Sequence, residues 1–206
     1  MEDLVVLGTM QNKLMPELPE VETIKEILKN NILNKTISNI EILREKTIVG
    51  DSIEFKNKLI NKTIVNVSRK GKFLIFHLND GTKFISHLRM EGKYFYHDNQ
   101  KDHTRYERVR FLFNDNTMLI YDDSRQFGII SLDLSPLDKL GKEPFDADVD
   151  EVYKKIHKQK GAIKPAIMDQ NIIAGLGNIY ADEVLFLSKI HPETPANLLS
   201  KEEWKT

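Results

Sequence analysis

The 206-residue sequence has no cysteine, which excludes a disulfide framework and a thiolate metal site within it. It has no apolar run near the roughly 20 residues of a membrane-spanning helix. The N-terminal run Leu4-Val5-Val6-Leu7 is too short for a signal peptide and has acidic rather than basic flanks, so a cytoplasmic location is expected. Proline is sparse, at 7 residues, and tryptophan occurs once. A hydrophobic fraction of 40%, with 10 Phe and 6 Tyr, argues for a globular protein with a sizeable core and against disorder.

No sign of charge dominates, since the formal net charge is −1, but the distribution is uneven. Lys62, Arg69, Lys70, Lys72, Lys83, Arg89 and Lys93 face only Asp80 and Glu91 in their stretch. Lys154, Lys155, Lys158, Lys160 and Lys164 form a second basic block without any acid. Two such blocks suit a polyanion, although a solvated lysine face is the commoner meaning of such a pattern.

Hydrophobic periodicity divides the chain. Val21, Ile24, Ile27 and Leu28 recur at helical spacing, which predicts an amphipathic helix ending near Asn31. Ile40–Ile42 and Ile64–Val67 read as strands. Residues 72–78 and 82–88 flank Asn79-Asp80-Gly81, a strong hairpin signal; 109–113 and 117–121 form a second hairpin, and 128–132 a further strand. The expectation is an α+β protein with an antiparallel β-sandwich or barrel lobe and a flanking helix over 15–135, behind a leader at 1–14. Pro136 and the acidic stretch around 146–151 read as a linker (136–150). Helices at 152–158, 165–169 and 179–187 then belong to a helical part, 151–206.

Ser200 and Glu203 have capping-box spacing, with Leu199 as a staple residue, so a helix should start where only a few residues remain. One turn cannot bury an apolar face alone. The chain is therefore expected to be cut inside a helical domain, with roughly its last 20 to 30 residues frayed.

The chemistry lies in separated motifs: Met15-Pro16-Glu17-Leu18-Pro19-Glu20-Val21-Glu22-Thr23, Ser68-Arg69-Lys70-Gly71-Lys72, His87-Leu88-Arg89-Met90-Glu91-Gly92, Asp123-Ser124-Arg125-Gln126-Phe127-Gly128, Ile163-Lys164-Pro165 and Gly175-Leu176-Gly177-Asn178-Ile179-Tyr180. In this order they resemble the bacterial formamidopyrimidine-DNA glycosylase family, more closely than the related pyrimidine-directed endonuclease eight type. The resemblance spans Met15 to Thr206. It implies a β-rich catalytic lobe followed by the start of a helix-two-turns-helix lobe. The implied activity is excision of oxidised purines (8-oxoguanine, formamidopyrimidines) from duplex DNA, then cleavage of the abasic site by β,δ-elimination. Double-stranded DNA bearing an oxidised purine or abasic site is the implied partner, for a monomer working at the bacterial nucleoid.

Site residues follow from the resemblance. An N-terminal proline is a secondary amine with a pKa near the roughly 8 of an α-amino group, so Pro16, once exposed, can attack C1′ and form an iminium. Glu17 is the implied proton donor, with Glu20 supporting it. Without the family these residues only introduce a helix, and for Glu22 complementing the helix dipole is the preferred reading. Lys72 matches a lysine at the mouth of the active site and His87 a phosphate contact, although a lone Lys or His on a strand more often faces solvent or is hydrogen-bonded. Met90, Arg125 and Phe127 match a trio pushed into the duplex when a base is flipped out; alone, Met90 and Phe127 would read as core. Lys164 and Asn178 match phosphate contacts of the helical lobe, where Gly-x-Gly alone would mean a tight turn.

The sequence also departs from the pattern. With residues 1–14 attached, Pro16 nitrogen is an unreactive amide, and a misassigned start at residue 1 is expected. The family's Lys-His-x-His-Val segment is Arg105-Tyr106-Glu107-Arg108-Val109 here, leaving Arg108 as a possible phosphate contact. The family's structural zinc sits in a four-cysteine finger expected beyond Thr206, so no metal or cofactor is assigned to this chain. A non-catalytic DNA-binding fragment is the alternative function. A generic α+β domain with lysine-rich faces is a remote third.

Overall fold

The computed structural model describes residues 15–98 and 103–205, so the leader at 1–14 lies outside the described residues. Helix α1 (Leu18–Ile32) starts at Glu17, whose backbone N–H donates to the Glu20 carboxylate at 3.0 Å. Pro19 falls in the first turn, where a missing N–H costs nothing. Val21, Ile24, Leu28 and Ile32 form the buried stripe that the spacing predicts.

Among the described residues nine strands follow: β1 (Ile37–Ile42), β2 (Ile48–Val49), β3 (Ile64–Lys70), β4 (Phe73–Leu78), β5 (Lys83–His87), β6 (Lys93–His97), β7 (Glu107–Phe113), β8 (Met118–Asp122) and β9 (Ile129–Ser131). They build one sheet in the order β1-β7-β8-β6 and another in the order β2-β9-β5-β4-β3. All pairings are antiparallel except β2 with β9, so the lobe is the expected sandwich with one short parallel edge.

Both sheets and α1 share one hydrophobic core. Its centre is aromatic: Phe76 stacks on Phe84 at 4.5 Å and Phe84 on Phe111 at 5.7 Å, joining the two sheets. Phe55 packs edge-on against Phe84, and it comes from a helix that periodicity does not reveal, α2 (Ser52–Leu59). Asp51 caps α2 through the N–H groups of Ile53 and Glu54, and only Phe55 and Leu59 are buried, too few for a periodic signal. Strand β6 is also absent from the sequence reading.

The chain divides into two compact units, the second running from Pro136. Its elements are α3 (Ser135–Asp138, at the boundary), α4 (Val149–Ile156), α5 (Ile163–Ile167), α6 (Asn178–Leu187) and α7 (Lys201–Trp204). The stretch read as a linker is bonded into this unit: Gly141 N–H donates to Gln170 O at 2.9 Å and Ala174 N–H to Lys142 O at 3.0 Å. A Cβ on Gly141 would lie 2.2 Å from Ile172 O, so the close approach requires glycine.

Ser200 and Glu203 form the expected capping box. The short helix does not stand alone, because Trp204 packs on the core made by α4, α5 and α6, and its indole N–H donates to Val149 O at 3.1 Å. Ala181, Leu185, Ala196 and Leu199 are all buried in that core, so the expected fraying from about residue 180 meets a packed segment instead. Amide exchange should therefore be slow at 181–185, by mass spectrometry under native conditions. Exchange there as fast as in a short peptide would restore the fraying view.

Candidate active site

Three of the expected catalytic residues meet at the start of α1. Pro16 and Glu17 are buried ahead of its first turn, with Glu17 only 2% exposed. Lys72, 5% exposed, lies in the turn between β3 and β4. Burial depresses the Lys72 ammonium below its ordinary range, while the carboxylates of Glu17 and Glu20 pull the other way. The result is an acidic helix start facing a desolvated lysine.

Glu22 has a different task from the expected one. Its carboxylate takes Arg69 Nε at 2.7 Å and Lys25 at 2.6 Å. Hydrogen bonds from Lys25 first, and then Arg69, hold its pKa below the usual carboxylate value. Arg69 also donates to Gly71 O at 3.2 Å, so one guanidinium ties the first turns of α1 to the β3–β4 turn. Gly71 has φ +56°, in the left-handed region, immediately before Lys72.

His87 ends β5. It is 7% exposed, and the Phe73 ring meets it edge-on at 4.6 Å. Arg89 N–H donates to His87 Nδ1 at 3.0 Å, which leaves the ring proton on Nε2. Burial above all, then Arg89 and Lys72, pushes its pKa down to about 3. His87 is thus a neutral N–H donor at physiological pH.

Met90, Arg125 and Phe127, the residues expected to enter the duplex, sit on two adjacent connections. Leu88–Gly92 links β5 to β6 and Asp123–Gly128 links β8 to β9. Because β5 pairs with β9 and β6 with β8, both connections cross from one sheet to the other side by side. Met90 is half-buried; Arg125 is exposed, and Phe127 is 53% exposed, so neither arm of the second loop belongs to the core. The Arg125 guanidinium lies 5.0 Å from the Phe127 ring centre. Arg89 (φ +54°) and Gln126 (φ +60°) place a non-glycine residue in the left-handed region in each loop.

Asp123 opens the Asp-Ser-Arg-Gln-Phe-Gly motif, and its role is visible only in the fold. It is 1% exposed, and its carboxylate accepts the N–H groups of Arg125, Gln126 (both 3.0 Å) and Gly128 (2.8 Å). An Asp followed by free N–H groups two and three residues on is the signal for such a turn. Arg108, expected as a phosphate contact, is 9% exposed and donates to Asp123 O at 2.8 Å. It braces the loop from within.

Lys164 and Asn178 belong to the second unit. Lys164 is ion-paired with Asp182 at 2.7 Å, while Asn178 is exposed at the first position of α6. Gly175 (φ +96°) makes the preceding turn, clamped by Gln170, which accepts Gly175 N–H at 2.8 Å and donates to Leu176 O at 2.7 Å. Sequence reasoning missed Gln170. A zinc finger does not fit the residues present, because the chain has no cysteine and no metal-holding group of His, Asp or Glu occurs among the described residues.

Since the folded His87 takes a proton only near pH 3 and the unfolded chain near 6.5, its contribution to stability is complete above 6.5 and is lost as pH falls toward 3. His87→Asn keeps an acceptor for Arg89 N–H without a titrating ring. Urea midpoints from pH 6.5 down to about 5, above the carboxylate range, should therefore fall less steeply for the variant than for the parent. Parallel slopes would contradict the shift.

A sequence profile of the formamidopyrimidine-DNA glycosylase N-terminal domain matches residues 15–130, and one of the same enzymes' H2TH domain matches 140–206. The formamidopyrimidine-DNA glycosylase of Ligilactobacillus salivarius is 50% identical over 200 residues, covering 93% of this chain and 72% of that protein. That of Mycoplasma mobile is 46% identical, covering 93% and 73%. The crystal structure of the Lactococcus lactis enzyme non-covalently bound to DNA with an abasic site superposes with a TM-score of 0.86 at 38% identity, covering 92% of this chain and 76% of that one. A second structure of the same enzyme, with DNA containing N7-benzyl-Fapy-dG, gives 0.86 at 37%, covering 92% and 74%. On this evidence the chain belongs to the formamidopyrimidine-DNA glycosylase family.

Proposed function

We propose that the start of α1 is the catalytic centre of a DNA repair glycosylase and abasic-site lyase acting on oxidised purines in duplex DNA, with Pro16 as nucleophile. The observation that carries this reading is the burial of Lys72 beside the Glu17 and Glu20 carboxylates at the helix end where Pro16 sits. The Lactococcus lactis relative's complexes with abasic-site and Fapy-dG DNA support the substrate. An enzyme with that substrate works at the nucleoid.

The Pro16 amine attacks C1′ of the damaged nucleotide, and the bond to the base breaks with its electron pair leaving on the base. The Glu17 carboxylate takes the N–H proton of the attacking proline nitrogen and passes it to the ring oxygen O4′ as the sugar opens, and an iminium forms between C1′ and the proline nitrogen. The iminium acidifies C2′–H; loss of that proton expels the 3′ phosphate, and a second elimination expels the 5′ phosphate. Lys72 and the His87 Nε2–H hold phosphate oxygens near this centre, and Lys164 and Asn178 hold backbone in the second unit. Met90, Arg125 and Phe127 fill the space left by the everted nucleotide, with Arg125 donating to the orphaned partner base.

This chemistry requires a free amine, so it requires Pro16 to be the first residue of the active protein. Borohydride trapping on a duplex with one abasic site should give an adduct mapping to Pro16 in protein that starts there. The 206-residue chain with residues 1–15 attached should give none. Glu17→Gln should slow base excision by about 10²–10⁴-fold. An adduct on a lysine would make that lysine the nucleophile in place of Pro16, and none from the shorter protein despite salt-sensitive binding would instead favour a non-catalytic DNA-binding role.

A further inference from the structure

The two loops carrying Met90 and Arg125–Phe127 rest on one atom. A Cβ on Gly92 would lie 2.3 Å from the Tyr121 hydroxyl, and one on Gly128 would lie 1.7 Å from the same oxygen. Both glycines are therefore places where a loop backbone closes onto this hydroxyl. Tyr121 is fully buried, its ring centre 5.1 Å from that of Tyr94. Its hydroxyl faces Asp123 Oδ2 at 3.5 Å, the oxygen that also accepts Gly128 N–H. Burial and the Asp123 carboxylate raise the phenol's pKa, so the hydroxyl keeps its proton. A direct link between the loops, from Ser124 Oγ to Glu91 Oε2 at 3.4 Å, lies on the exposed side.

We propose that Tyr121 is a positioning residue: its hydroxyl is a shared strut beneath both loops, so that Met90 and the Arg125–Phe127 arm enter the duplex as one unit. The functional half of this statement rests on the wedge role proposed above for those residues; the mechanical half does not. A wedge made of two arms must act from both at once, because one arm withdrawn leaves the everted site free to reclose. Holding both loops on one buried hydroxyl removes their independent motion before DNA arrives, which lowers the ordering cost of insertion.

Tyr121→Phe removes the hydroxyl and keeps the ring, so the core stays filled. In DNA-free protein the amides of Gly92 and of Arg125, Gln126 and Gly128, all hydrogen-bonded, should exchange roughly fivefold faster in both loops, the scale of one long, weak hydrogen bond. Amides in the middle of β4 and β5 should be unchanged. Faster exchange in one loop only, or in neither, overturns the strut. Gly128→Ala, whose new methyl meets the hydroxyl at 1.7 Å and the ring carbon bearing it at 3.0 Å, supplies a second test: Tyr121→Phe should recover part of the lost thermal stability in that background although it adds none by itself. Lack of recovery also counts against the proposal.

Stopped-flow fluorescence of 2-aminopurine beside an abasic-site analogue then reads eversion. Tyr121→Phe should slow it by a similar factor while affinity for undamaged duplex stays the same. If Met90→Ala slows eversion and Tyr121→Phe does not, the functional half of the strut fails and the wedge reading stands. If Met90→Ala has no effect, the wedge reading fails, and the exchange and recovery results still decide the strut.

Discussion

The Glu22–Arg69 ion pair joins the start of α1 to the turn that presents Lys72, and the candidate active site is assembled from that join. Glu22 is 42% exposed, so the pair adds modestly to stability. Its value is geometric: a guanidinium bonded to α1 on one side and to Gly71 O on the other fixes both partners at once. Lys72 then sits in a buried place that disfavours its charge, beside two carboxylates that favour it. Desolvation outweighs the two carboxylates, so Lys72 sits below the ordinary lysine range beside the helix start that places Pro16 and Glu17.

The rest of the first unit serves the loops. Two sheets that share an aromatic core make a stiff frame, and the β5–β6 and β8–β9 connections cross between the sheets at one place. The β8–β9 backbone is held from below by Asp123 and Arg108, while Arg125 and Phe127 stay exposed. Left-handed Gln126 is tolerated because the Asp123 carboxylate holds its N–H, and left-handed Arg89 because His87 Nδ1 holds its N–H. Rigid support with exposed tips is what the proposed insertion into stacked bases demands.

Much of the fold was legible because its signals are local. Asn79-Asp80-Gly81 is a turn that few other structures accept, and the Ser200–Glu203 capping box forms where its spacing predicts. α2 escaped because two buried residues make no periodicity, and β6 because Lys-Tyr-Phe-Tyr-His carries no apolar-polar alternation. The site was legible as a set of residue types in order, through resemblance. What each residue touches was not: Glu22 as a partner of Arg69, Arg108 as a brace and Tyr121 beneath two glycines are contacts across the sequence that no local pattern encodes. The packing that stands against the expected fraying was hidden for the same reason, since the partners of Trp204 and Leu199 lie about one helix length or more away in the chain, in α4 to α6.

The most direct test of the account is a double-mutant cycle of Glu22→Ala and Arg69→Ala, read as the rate of borohydride-trapped adduct at Pro16 on abasic-site duplex. If the pair sets the register of Pro16 and Glu17 against Lys72, each single variant slows trapping with duplex affinity retained, and the double variant is no slower than the worse single one. Unchanged rates in the single variants, or effects that simply add, would contradict the claim that this join organises the site.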